Sequence, residues 1–161
     1  MENKIEELIK CFYGKDVINT KKARYELVKM GNPAIEYLIP LIDDPKMHVR
    51  WEAIKTLSQI ATPETIPILI KALENDDFDV RWIAAEGLID IGKKSIQPLL
   101  KSLVADQDSK FLLEGAHHVF KELHFKKLFE NDEIIKILED YRRHPEVAVE
   151  AERLLGKYEA F

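Results

Sequence analysis

Asn75-Asp76-Asp77-Phe78-Asp79-Val80-Arg81-Trp82-Ile83-Ala84-Ala85-Glu86-Gly87-Leu88-Ile89-Asp90-Ile91-Gly92 holds the reading of the whole chain. It opens on Asn and Asp, residues that make turns and N-caps. Val80, Ala84, Gly87, Leu88 and Ile91 then recur at spacings of three and four, which places them on one face of a helix. Gly92 follows the last of them, where a helix is commonly capped.

The same segment occurs elsewhere. Val49-Arg50-Trp51-Glu52-Ala53 precedes Val80-Arg81-Trp82-Ile83-Ala84 by 31 residues, and Leu57 and Ile60 keep step with Leu88 and Ile91. A further 31 reaches Phe111, with Gly115 in the Ala position and Val119 in the Leu position. Backwards, Asn19, Ala23, Leu27 and Met30 fit. Past a longer gap, Val147, Ala151, Leu155 and Tyr158 fit again.

A second apolar pattern stands before each copy. It starts at Ile5, Ile35, Ile66, Ile96 and Ile134, the last running Ile134, Ile137, Leu138, Tyr141. Tight corners join the two patterns: Asp43-Asp44-Pro45, Asn75-Asp76-Asp77 and Asp106-Gln107-Asp108. Each unit is therefore a pair of antiparallel helices, A and B. The spacing predicts A helices near 3–13, 33–43, 64–74, 94–104 and 132–141. It predicts B helices near 19–30, 48–61, 79–91, 109–124 and 147–159. The predicted fold is all-α, an α-solenoid of about five hairpins and roughly ten helices. It forms a single domain over 1–161, with repeats near 3–30, 33–61, 64–91, 94–124 and 132–159. One hairpin leaves apolar surface bare, and stacking covers it. Pro40 predicts a kink, and the insertion from His124 to Asp132 predicts less regular stacking.

The Asp-x-x-Val-Arg-x-x-Ala-Ala-x-x-Leu-x-x-Ile-Gly core of this segment resembles HEAT repeats, in particular the short subtype of phycobilisome-lyase-like proteins. The resemblance implies a ladder of turn aspartates and B-helix arginines: here Arg50 and Arg81, with Asp43, Asp44, Asp76 or Asp77 as partners. It also implies a concave face lined by B helices that binds other proteins.

The helical wheel puts Trp82 almost opposite the core of its helix, with Glu86 and Ile83 beside it, and Trp51 one repeat earlier. These rings predict an outward ridge, continued by Lys21 at one end and by Leu113 and Val149 at the other. Lys22, Tyr25, Glu52, Lys55 and His117 flank it, as do Glu150 and Arg153 in the last repeat. The expected partner is a protein or peptide, anchored on Trp51 and Trp82 and gripped at an acidic portion by Lys21, Lys22 and Tyr25. A monomer or weak dimer is expected.

Other chemistry is weaker. The net charge of −5 argues against general nucleic-acid or membrane affinity, although residues 1–30 carry seven basic and five acidic side chains. His117 and His118 point about 100° apart on a helix, which disfavours a shared metal. No His-Glu dipeptide of the HEAT-type di-iron hydroxylases occurs. A HEAT-like DNA glycosylase needs a basic groove, and Trp51, Trp82, Glu52 and Glu86 give a mixed one. Cys11 is the one cysteine and stands in an apolar pattern. No phosphate loop or nucleophile elbow is present. The expectation is thus no catalytic residue, no metal, no cofactor and no enzymatic role, with a cytoplasmic location. The alternative implied by the resemblance is a phycobilin-lyase-like subunit that handles a tetrapyrrole.

Overall fold

The computed structural model describes residues 2–106, 108–140 and 143–159, the side chain of Glu159 excepted. Within them lie ten α-helices and no strand. They are α1 (Glu2–Lys10), α2 (Val17–Met30), α3 (Asn32–Leu38), α4 (Met47–Ile60), α5 (Ile66–Ala72), α6 (Phe78–Ile91), α7 (Lys93–Ala105), α8 (Lys110–Phe125), α9 (Asp132–Glu139) and α10 (His144–Glu159). Gln107 and Tyr141 of the sequence patterns lie outside the described residues.

Helices α2, α4, α6 and α8 pack side by side as one layer, and α1 with α3, then α5 with α7, form the layer behind it. Between the layers runs a continuous apolar core that includes Leu27, Leu38, Leu57, Leu69, Leu88, Leu99 and Phe120. Local chemistry sets the joints. Asp16 accepts from the backbone N–H groups of Ile18 and Asn19, and Asp77 from that of Asp79, so both cap helix starts. Gly31 and Gly92 have φ of +67° and +74°, and each is a one-residue link from a front helix to a back one. A side chain is strained there. Ala61 takes the same place after α4 and is also left-handed, at φ +52°.

Pro40 acts as its chemistry requires. It has no N–H to give to the preceding turn, so α3 ends at Leu38 and residues 39–43 wind on as a tighter 3₁₀ turn. Gly87 marks a close approach of α6 to α4 in the front layer. A Cβ there would stand 2.7 Å from Cβ of Ser58 and 3.1 Å from its Cα.

Two expectations are corrected. The fourth front helix begins 32 residues after the third, Ser109 capping it as Asp77 caps α6. The preceding back helix supplies the extra length: α7 runs 13 residues, against seven in α5 and three in the 3₁₀ turn before it. Ala116 therefore takes the Ala position, and Leu112, Ala116, Val119, Phe120 and Leu123 face the core. The last hairpin is also laid down in reverse: α9 packs on α8 of the front layer, and α10 packs on α7 of the back layer. Earlier front-to-back links are short, and two of them are a single glycine. Here the link is residues 126–131, with Lys127 left-handed and Phe129 buried and stacked on Phe120 at 4.8 Å. That length lets the chain fold its next helix against α8 itself.

Candidate functional site

Position 82 behaves as the wheel requires, and position 51 does not. Trp82 is 47% exposed. Trp51 is half-buried against the core, with the Arg24 guanidinium 5.5 Å from its ring centroid. Arg24 also donates to Glu52 at 2.6 Å, and both side chains are largely buried. Glu52 is thus tied to α2 and withdrawn from the face, and Lys55 is half-buried. The expected ridge of two rings is one free ring and one covered ring. The cover comes from the neighbouring repeat, which a wheel for one helix does not contain.

Ile83 and Leu113 are corrections. Both are buried, at 7% and 1% exposure. Ile83 turns sideways into the seam of the front layer. Leu113 turns inward because α8 runs one residue later than expected, which gives Glu114 the place of Trp82. His117 also leaves the ridge. Its Nε2 is buried without a hydrogen-bond partner, and burial first, then the Lys121 charge, pushes its pKa below the ordinary value, partly opposed by Glu139. Val149, Glu150 and Arg153 lie on α10, in the back layer. Glu150 is buried there and accepts from Arg153 and Asn131.

Residues that the wheel passed over complete the site. His118 stacks on Trp82 with centroids 4.6 Å apart, and its Nε2 lies 3.0 Å from the Glu86 carboxylate. Phe78, 62% exposed, lies 6.2 Å from Trp82. Phe111 comes forward with the shifted register, and the Arg81 guanidinium stands 4.0 Å from its ring and 5.7 Å from that of Phe78. Between α6 and α8 these groups, with Ala85, Glu114 and Gly115, wall a cleft of about 170 Å³. The missed signal was Phe78 itself, an apolar residue between Asp77 and Asp79, two residues before the Val-Arg pair.

The arginine ladder is real at one rung. Arg50 donates to the carbonyl oxygen of Asp44 at 2.8 Å and reaches the Asp77 carboxylate of the next repeat at 3.8 Å. Arg81 donates to the carbonyls of Asn75 and Asp76 at 2.8 and 3.0 Å. Asp44 and Asp76 thus serve through their backbones, not their carboxylates. The Asp44 carboxylate accepts from the Tyr13 hydroxyl and the Lys46 N–H, which hold it below the ordinary carboxylate range. The next rung lacks its acid because Ser109 stands where Asp77 would, and the Phe111 ring takes the arginine instead.

The other end of the front layer is basic. Lys21, Lys22 and Tyr25 are exposed on α2, with Val17 and Ile18 a turn before them at 76% and 67% exposure. A hollow beside this basic end is lined by Lys21, Arg24 and Tyr25 of α2, Ser58 and Gln59 of α4 and Asp90 at the end of α6. Among the described residues no helix is long and apolar enough to cross a membrane, and no cluster of three metal-ligating side chains occurs.

The HEAT-repeat family model matches residues 5–89 and again 35–117. A solved structure of the complex of CpcE and CpcF of phycocyanin lyase, from Nostoc sp. PCC7120, is similar to this chain in fold. Its TM-score is 0.61 at 22% identity, over 94% of this chain and 99% of that one. No curated protein matches the sequence. The structural match corrects the expectation of no enzymatic role. The nearly whole-length fold of this chain is also the fold of an enzyme's subunit, so missing nucleophile or phosphate motifs do not argue against catalysis.

Proposed function

The chain belongs to the HEAT-repeat family, and from that premise we propose that it is a docking array for another protein. A segment of the partner lies along the face of α2, α4, α6 and α8 and seats one apolar side chain in the Phe78–Trp82–Phe111 cleft. The cleft carries this reading. Exposed aromatic rings round a concavity are where binding energy concentrates. Its volume of about 170 Å³ suits one side chain and falls below the roughly 300–1,000 Å³ of sites that enclose a small molecule. Trp82 and Phe78 supply area, and Glu86 and His118 hold the Trp82 ring in place. Lys21, Lys22 and Tyr25 form the second point of contact, which sets the direction of the bound segment by charge.

Trp82→Ala tests this. Loss of an aromatic anchor costs about 2–4 kcal/mol of binding, so affinity capture from the native cell should lose its specific partners. The melting temperature should hold, because the ring is half in solvent. An unchanged set of captured proteins would remove the cleft from the reading.

A second reading rests on a different observation, the fold shared with a phycocyanin lyase complex. Here the array is one subunit of a lyase-like pair and handles a chromophore together with its partner. Visible absorbance that co-purifies with the chain, and persists with Trp82→Ala, would favour it over docking through the cleft.

A further inference from the structure

The two ends of the front face are complementary to each other. On α2, Lys21 and Lys22 ion-pair with nothing among the described residues, and they lie one turn before Tyr25, which is 62% exposed. Val17 and Ile18 extend this basic, apolar strip. On α6 and α8 the cleft is aromatic, and three carboxylates flank it, outnumbering the two basic side chains there, Lys110 and Arg81, the latter turned onto the Phe78 and Phe111 rings. Glu114 lines it, held by Lys110 at 3.8 Å, and Asp79 and Glu86 stand one turn to either side of Trp82. An exposed aromatic beside two lysines thus stands at one end, and a side-chain-sized aromatic cleft beside carboxylates at the other.

These ends belong to one chain and are separated by α4, so neither reaches the other within a molecule. A two-fold axis brings them together twice. When two copies face each other with their arrays antiparallel, the basic end of each meets the acidic end of the other. Such a self-complementary contact closes at two copies, whereas the same pairing in head-to-tail order would run on as a fibre. We infer that the occupant of the front face is a second copy of this chain, with Tyr25 of each copy seated in the Phe78–Trp82–Phe111 cleft of the other and Lys21 and Lys22 paired with Glu86 and Glu114. The inference rests on the docking reading and names its partner.

Charge reversal with remixing tests it on the pure protein. Sedimentation velocity of the wild type across a concentration series should show a dimer that weakens as salt rises. Lys21→Glu/Lys22→Glu makes both ends acidic, and Glu86→Lys/Glu114→Lys makes both ends basic. Each variant alone should dimerise at least about tenfold more weakly. Mixed one to one, they should recover the dimer, because both contacts are again of opposite sign. Tyr25→Ala, at an exposed position, should weaken the wild-type dimer without reversing any charge. Circular dichroism checks that each variant remains helical. A wild type that stays monomeric, or a dimer indifferent to both reversals, overturns the inference. A variant that has unfolded leaves Tyr25→Ala to decide, and a dimer unaffected by it overturns the inference as well. A monomer whose Trp82→Ala variant still loses captured partners would sink only the second copy and leave the docking reading in place.

Discussion

Helices α4 and α6 are the same element twice, 31 residues apart in start, end and core positions. Helices α9 and α10 carry the same apolar periodicity and come out exchanged between the layers. The difference lies in the links. A single left-handed residue at 31, 61 or 92 leaves the chain little choice of direction, so each repeat inherits the orientation of the last. The link at 126–131 also holds a left-handed residue, Lys127, but it is six residues long, and the buried Phe129 ring decides where the chain goes. Apolar spacing fixes which side of a helix is buried. The joint fixes what it is buried against.

Phe129→Ala separates the two regions most sharply. Removing a buried phenylalanine costs about 3–5 kcal/mol. That cost should fall on the terminal hairpin, so amide exchange in α9 and α10 should accelerate strongly while α4 and α6 keep their protection. Uniform acceleration would show that the reversed hairpin folds as one unit with the rest.

Gly87→Ala strikes the regular region. The new methyl meets the Ser58 Cα, which belongs to a backbone and has nowhere to move. Overpacking of this kind costs about 1–3 kcal/mol, read as a lower melting temperature for the whole array.

Asp77→Asn keeps the helix cap, because asparagine caps as well as aspartate, and removes only the charge opposite Arg50. Each partner is about one-fifth exposed, so the loss should be about 0.2–1 kcal/mol and should vanish in high salt. Ser109→Asp builds the missing rung opposite Arg81 and should return a similar amount. If it returns nothing, the Phe111 ring already satisfies that guanidinium.

His117 sits on α8 where the regular and reversed regions meet, and it gives the smallest effect. Its folded pKa lies below the ordinary 6.5. The unfolded chain therefore binds the proton more readily, and the contribution to stability is present above about pH 6.5. It is lost as pH falls from there through the folded value. His117→Gln should flatten this part of the stability–pH curve. A wild-type curve flat between pH 7 and 5 would contradict the assignment.

Much of this was legible in the sequence. The α4 and α6 registers, the caps at Asp77 and Gly92 and the outward turn of Trp82 follow from spacing alone. Two things did not. The fourth front helix was misplaced by one residue because Phe111 is apolar and passes for Val80, although the helix before it, α7, is longer than α5. That slip hid the cleft, since it sent Leu113 outward and left His118 unread. The covering of Trp51 by Arg24 was hidden for another reason: it is a contact between repeats, and periodicity describes each helix by itself.

The reversed hairpin also limits how such an array can grow. A new unit copied in anywhere from α3 to α6 meets front helix with front helix and back with back, so the array can lengthen there one cassette at a time. A unit placed after α10 would find the layers exchanged and its own apolar faces turned to the wrong neighbours. The six residues of 126–131 thus act on the gene as well as on the chain: duplications upstream of them extend the regular layers, and duplications downstream meet those layers exchanged.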